Sequence, residues 1–191
     1  MIMLVNKKRF ATVISLMLIC VILLVGLLNV KKIRQSAYPI KYSGYVEKYA
    51  KEMGLDKYLV YAVIKAESNF NEKAVSDKGA IGLMQIIPET GREAAKKIGI
   101  ENYSDKKLLE PKTNIRIGCY YIAFLMNRYS GDIRTAMSAY NAGYGNVDNW
   151  LAREQKDVID ADNIPFGETK KYIVKIINGY EKYKEIYDEG N

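Results

Sequence analysis

A glutamate stands where one helical pattern runs out, in Ala66-Glu67-Ser68-Asn69-Phe70, and a glycine-punctuated stretch follows it, Gly79-Ala80-Ile81-Gly82-Leu83-Met84-Gln85. A carboxylic acid fixed at the end of a rigid element and facing a groove can serve as a general acid. Two effects raise its pKa there. The negative end of the helix dipole disfavours the carboxylate, and the neighbours Ala66 and Phe70 withhold water from it. A carboxyl still protonated near neutral pH can give its proton to a leaving oxygen. On residue type alone, an ordinary solvated glutamate on a helix face stays open as the alternative.

Other residues could surround such an acid. Gly79 and Gly82 let backbone approach a ligand closely. Met84 offers an adaptable apolar surface, and Gln85 an amide that donates and accepts. Ala139-Tyr140-Asn141-Ala142-Gly143 sets a phenol and an amide at a second helix end. Plain readings stand beside these: a turn followed by a core segment for the first stretch, and a helix C-cap for the second. All 16 tyrosines follow residue 37, as does the one tryptophan, Trp150. Aromatic rings of this kind pack on the C–H faces of sugars while their hydroxyls join hydrogen-bond networks. Tyr45, Tyr49 and Tyr180 fall on stripes expected to be buried.

Composition narrows the chemistry further. The 191 residues include no histidine and two cysteines, Cys20 and Cys119. Ser-His-Asp and Cys-His sites are therefore excluded, and a Cys/His metal site is not expected. Cys20 lies within an apolar run and Cys119 on an apolar helical stripe, so neither reads as part of a disulfide framework. Neither a metal nor an organic cofactor is expected. The formal charge of +7 is local: six of the 29 basic residues and none of the 22 acidic ones lie in residues 1–37. The remainder is nearly balanced, so no nucleic-acid partner is expected.

The elements that must position these residues are helical. Phe10 to Leu28 is an uncharged run of 19 residues, about 28 Å as a helix and close to a hydrocarbon thickness. It reads as an uncleaved membrane anchor in preference to a signal peptide, because it is long and lacks a small-residue cleavage site. Basic residues flank both ends, so charge leaves its orientation open. A polar tether follows, ending near Pro39. Gly54 should end the next helix, and Asp56 should cap the one carrying Leu59, Val60, Val63 and Ile64, which should finish near Ser68 or Asn69. Pro88 and Pro111 each open a helix, and Asp132 caps another that ends at Asn141-Ala142-Gly143. A final helix is expected from about Glu168 through Tyr180. No alternating strand pair or internal repeat occurs. The expected organisation is an anchor over residues 1–30, a tether over 31–40 and one all-α domain over 41–188.

In this order, four segments resemble the catalytic domain of lytic transglycosylases of the soluble (SLT) type, related to goose-type lysozyme. They are Glu67-Ser68, Gly82-Leu83-Met84-Gln85-Ile86-Ile87-Pro88, Ala139-Tyr140-Asn141-Ala142-Gly143, and Ile164-Pro165-Phe166-Gly167-Glu168-Thr169-Lys170-Lys171-Tyr172-Ile173. Ile87 departs from the methionine common in that family, and Ile173 replaces valine. The resemblance implies a lysozyme-like all-α fold and a peptidoglycan glycan strand as substrate. It implies Glu67 as sole catalytic acid and base, Ser76 facing the substrate N-acetyl group, and Gly82, Met84, Gln85, Tyr140 and Asn141 lining the groove near it. Glu168 would hold polar partners on the far wall. The implied reaction cleaves the β-1,4 bond between N-acetylmuramic acid and N-acetylglucosamine without water, leaving 1,6-anhydro ends. A hydrolytic muramidase using Asp77 or Glu72, or a non-catalytic wall-binding module, are the rival readings. Because peptidoglycan lies outside the cytoplasmic membrane, the expected topology is single-pass, with the N-terminus inside and the domain extracytoplasmic, near unidentified envelope machinery.

Overall fold

The computed structural model describes residues 7–159, 164–165 and 167–188. Phe166 of the fourth motif and the first six residues of the expected anchor lie outside them. The chain divides into two compact units, residues 1–39 and 40–191. The first unit holds one helix, α1 (Lys7–Ala37). Its window Arg9–Gly26 has a mean hydropathy of 2.4 and is long and apolar enough to cross a membrane.

The second unit is built from helices α2 (Ser43–Glu52), α3 (Lys57–Ser68), α4 (Pro88–Lys97), α5 (Pro111–Arg128), α6 (Ile133–Ala142), α7 (Tyr144–Glu154) and α8 (Gly167–Tyr187), with a 3-10 turn at Asp105–Leu109. Among the described residues there is no strand. Two isolated bridges, Val75 with Ile81 and Ile81 with Ile86, fold the connection between α3 and α4.

Helix α3 is the centre. Asp56 accepts a hydrogen bond from the Tyr58 amide at 2.8 Å and caps its start. Seven consecutive residues, Tyr58 to Ile64, are then buried, as befits a helix covered on every side. Helix α8 packs along it, α6 packs on both α5 and α8, and α2 spans α3 and α5. Only in its last turn, Lys65 to Ser68, does α3 leave the core. The sequence therefore brings Glu67 out at the end of the most buried element in the fold.

The expected caps and breaks at Gly54, Asp56, Pro88, Pro111, Asp132 and Gly143 all coincide with helix ends. Asp132 accepts from the Thr135 amide at 2.7 Å. Two expectations need correction. Tyr45 is 40% exposed, while Val46, Tyr49 and Ala50 form the buried face of α2; the apolar stripe is turned one residue from Tyr45. Helix α7 carries Val147 and a buried Trp150 inward. Its sequence is too polar and too short of apolar repeats to announce it. Cys119 is fully buried, and burial pushes its thiol up to about 12, as suits a packing residue.

Candidate active site

At the last turn of α3 the Glu67 carboxyl meets α8. Tyr172 donates its phenol hydrogen to Glu67 Oε1 at 2.6 Å. One turn further along α8, Lys175 donates to the Ala66 carbonyl at 2.5 Å, placing positive charge at the C-terminal end of α3. That ammonium offsets the helix dipole, so burial is what raises the Glu67 pKa, to about 7. The Tyr172 hydrogen bond and the Lys175 charge both pull it back down. Among the described residues no other carboxylate bears on it. The phenol of Tyr140, on α6, is itself held well above its usual range by burial and by the charge of Glu67.

The connection from α3 to α4 is folded tightly against this acid. Ser68 donates its hydroxyl to the Leu83 carbonyl at 2.8 Å. Asn114, fully buried on α5, accepts from the Met84 amide at 2.8 Å and donates to the Ile81 and Leu108 carbonyls at 2.9 and 2.8 Å. Tyr140 donates to the Met84 carbonyl at 2.7 Å. Three non-glycine residues here are left-handed, Asn69 (φ 49°), Phe70 (φ 64°) and Gln85 (φ 48°). Such conformations persist only where surrounding contacts enforce them, and they gather at functional sites.

A cleft of about 500 Å³ opens beside this arrangement, lined by Gln85, Ile86 and Ile87, by Glu89, Thr90 and Glu93 of α4, by Tyr121, and by Tyr140 to Gly145. Glu67 does not itself line it; Tyr140 belongs to both, with its phenol near the acid and its ring in the cleft wall.

Each sequence candidate can now be placed. Gln85, Tyr140 and Asn141 line the cleft together. Gln85 donates its amide hydrogens to the Gly82 and Ala74 carbonyls at 2.9 and 3.2 Å. Asn141 accepts from the Thr169 hydroxyl at 2.9 Å. Ser76 closes the adjoining turn, accepting from the Ala80 amide at 3.0 Å and keeping a hydroxyl hydrogen to donate. Glu168 is exposed, 3.9 Å from the ammonium of Lys78 on that same turn. Neither Ser76 nor Glu168 lines the cleft.

Two candidates are corrected. The Met84 side chain is fully buried against Gly118, where its sulfur leaves no room for another carbon, so it is core and not groove surface; its backbone carbonyl is the part that accepts from Tyr140. Gly82 is also buried, at φ 79°, and a Cβ there would lie 2.3 Å from both Asn114 Nδ2 and the Leu108 carbonyl. It admits the Asn114 pin in place of a ligand. Sequence reasoning missed Tyr172, Lys175 and Asn114 as site residues. Asn114 left a signal, a polar residue at the head of a run that buries Ile115, Ile117 and Cys119. Tyr172 left its place in the fourth resembling segment, but nothing in its spacing separates it from its apolar neighbours on α8.

The chain is similar to several known proteins. Soluble lytic murein transglycosylase of Salmonella typhimurium is 34% identical over 154 residues, covering 78% of this chain and 24% of that protein. Membrane-bound lytic murein transglycosylase C of Sodalis glossinidius is 31% identical over 167 residues, covering 75% of this chain and 47% of that protein. The crystal structure of the 70 kDa soluble lytic transglycosylase of Escherichia coli superposes with a TM-score of 0.73 at 32% identity, over 80% of this chain and 25% of that one. A structure of the lytic transglycosylase Slt of Pseudomonas aeruginosa, solved as an inactive glutamate-to-glutamine mutant, gives 0.73 at 31% identity, over 81% and 25%. The chain thus spans about a quarter of the soluble relatives and about half of the membrane-bound one. Residues 44–163 match the transglycosylase SLT domain, and the chain belongs to that family.

Proposed function

We propose that this chain is a membrane-tethered lytic transglycosylase, with residues 1–30 as anchor, 31–40 as tether and 41–188 as the catalytic domain, acting on the glycan strands of peptidoglycan. The single observation that carries the reading is a part-buried carboxyl, Glu67, at the end of α3, whose pKa desolvation raises to about 7, near a cleft of about 500 Å³. Such a group is part acid and part base at neutral pH, which is what one residue used twice requires.

In the first step Glu67 gives its proton to the oxygen linking N-acetylmuramic acid to N-acetylglucosamine, and the glycosidic bond breaks. Positive charge develops on the muramoyl anomeric carbon, and the substrate's acetamido oxygen stabilises it. Ser76 would orient that acetamido group with its remaining hydroxyl hydrogen. Glu67 is now a carboxylate, and the Tyr172 phenol and the Lys175 charge favour this form. In the second step it takes the proton from the C6 hydroxyl, whose oxygen attacks the anomeric carbon. The product carries a 1,6-anhydro end, water is not consumed, and Glu67 is again protonated.

A hydrolytic muramidase would need a second carboxylate to activate water. Glu72 accepts from the Tyr42 phenol at 3.0 Å and Asp77 is exposed. Glu89 and Glu93 line the cleft from α4. None of these acts on the Glu67 carboxyl. The Pseudomonas relative is inactive as a glutamate-to-glutamine mutant, which supports an essential glutamate. Digestion of purified peptidoglycan should release anhydro-ended muropeptides, identified by mass spectrometry as one water lighter than reducing ends. Glu67→Gln should lower the rate at least about 10³-fold. Reducing-end products would establish the muramidase instead, and undiminished activity of Glu67→Gln would overturn the assignment of the acid.

The apolar α1 and the membrane-bound relative support attachment to a membrane, which we take to be the cytoplasmic one. A substrate outside that membrane places the N-terminus inside and the domain outside. Envelope machinery that processes new strands near the membrane is the partner class this topology would serve.

A further inference from the structure

Helix α8 buries a hydroxyl where its packing calls for none. Thr169 is 2% exposed and heads a buried stripe that continues with Ile173 and Ile176. A valine would fill the same space without desolvating a polar group. Threonine hydroxyls in helices commonly turn back onto their own backbone. This one crosses to α6 and donates to Asn141 Oδ1 at 2.9 Å. Tyr172, one turn further along α8, donates to Glu67 on α3. Two hydroxyls on one face of α8 thus reach two different elements, and each ends on a side chain of the candidate site.

Asn141 is exposed and lines the cleft beside Tyr140. Gly143, and not Asn141, caps α6, so the amide is not engaged in ending its own helix. A buried hydroxyl hydrogen needs an acceptor, and the amide meets it with its oxygen. That fixes which end of the amide is left. Among the described residues no protein group accepts from Asn141 Nδ2.

Resting on the transglycosylase reading, we propose that Thr169 is a positioning residue for glycan binding, whose hydroxyl fixes the Asn141 amide so that the Nδ2 hydrogens face the cleft and donate to an acceptor oxygen of the strand. An amide left to rotate about its terminal bond would offer oxygen or nitrogen with similar ease. The acetamido carbonyls and the ether oxygens of a glycan accept hydrogen bonds and cannot donate them. A fixed donor therefore matches them, whereas an amide oxygen turned the same way would leave them unpaired.

The test uses the full chain in detergent, carrying Glu67→Gln so that the strand stays uncut, titrated calorimetrically with a peptide-free glycan oligomer. Against this parent, Thr169→Val should weaken binding about three- to tenfold, the worth of one hydrogen bond. Thr169→Ser loses the methyl group but keeps the hydroxyl, and should bind as the parent does. Asn141→Ala should weaken binding at least as much as Thr169→Val, and adding Thr169→Val to it should bring no further loss. Asn141→Asp, which can only accept, should bind no better than Asn141→Ala. Denaturant unfolding of each variant supplies the control, since a hydroxyl that served stability alone would lower the midpoint and leave affinity unchanged. Equal affinity of Thr169→Val and its parent, additive losses in the double variant, or full affinity of Asn141→Asp would each overturn the proposal, as would a parent that binds no oligomer. Digestion of peptidoglycan by the chain with Glu67 intact is read separately. Absence of anhydro ends there would sink the transglycosylase reading, while coupled losses at Thr169 and Asn141 would still support the positioning role toward a glycan.

Discussion

Glu67 is governed by opposing influences whose balance can be measured. Burial raises its pKa to about 7, and Tyr172 and Lys175 restrain the rise. The protonated form starts the reaction, so kcat/KM should fall as pH rises through about 7. Tyr172→Phe removes the hydrogen bond that favours the carboxylate. The pKa should then move higher, and the falling limb of the pH–rate profile should shift to alkaline pH by about one unit or more. A shift to acid pH would contradict the geometry. The same burial bears on stability, and the sign follows from linkage. The unfolded carboxyl ionises near its ordinary value of 4.5, whereas the folded one keeps its proton to about 7. Stability is whole below the first value and declines as pH rises through the second. Glu67→Gln does not titrate and its carbonyl can still accept from Tyr172. It should be more stable than wild type at pH 8, by at most about 3 kcal/mol in denaturant unfolding, and the difference should vanish near pH 4.

At the scale of elements, the connection between α3 and α4 is fixed from α5. Asn114 satisfies one amide and two carbonyls of a segment that forms no regular structure. Asn114→Ala would strand those groups in the core and should cost about 2–4 kcal/mol by denaturant unfolding. Gly82→Ala should be at least as damaging. Its added Cβ would collide with Asn114 and the Leu108 carbonyl, and its backbone is left-handed at φ 79°. Both variants should lose activity together with stability, whereas Glu67→Gln should lose activity alone. That contrast separates the scaffold of the site from its chemistry. The row of small and large residues across this contact is equally constrained, since Gly118 exists to admit the Met84 side chain.

For the whole molecule, an apolar helix and an all-α unit follow one another along the chain. The full chain should fractionate with membranes and resist extraction by high salt, while residues 40–191 expressed alone should be found in the soluble fraction; recovery of the full chain as a soluble protein would contradict the anchor. How much of this was legible beforehand depends on the range of the interaction. Helical periodicity, proline starts, aspartate caps and glycine stops act within a few residues, and the sequence determined those, together with the position of Glu67 at a helix end and the exclusion of histidine chemistry. The tertiary structure alone decided the rest. Glu67 owes its proton affinity to burial by distant elements and to Tyr172, a partner 105 residues away. Met84 reads as surface or core with equal ease until Gly118 is placed beside it. Thr169 and Asn141 meet only when α8 is packed on α6. Local spacing specifies which elements form, but burial and charge at a site sum over whatever those elements bring near it, and that sum has no local signature.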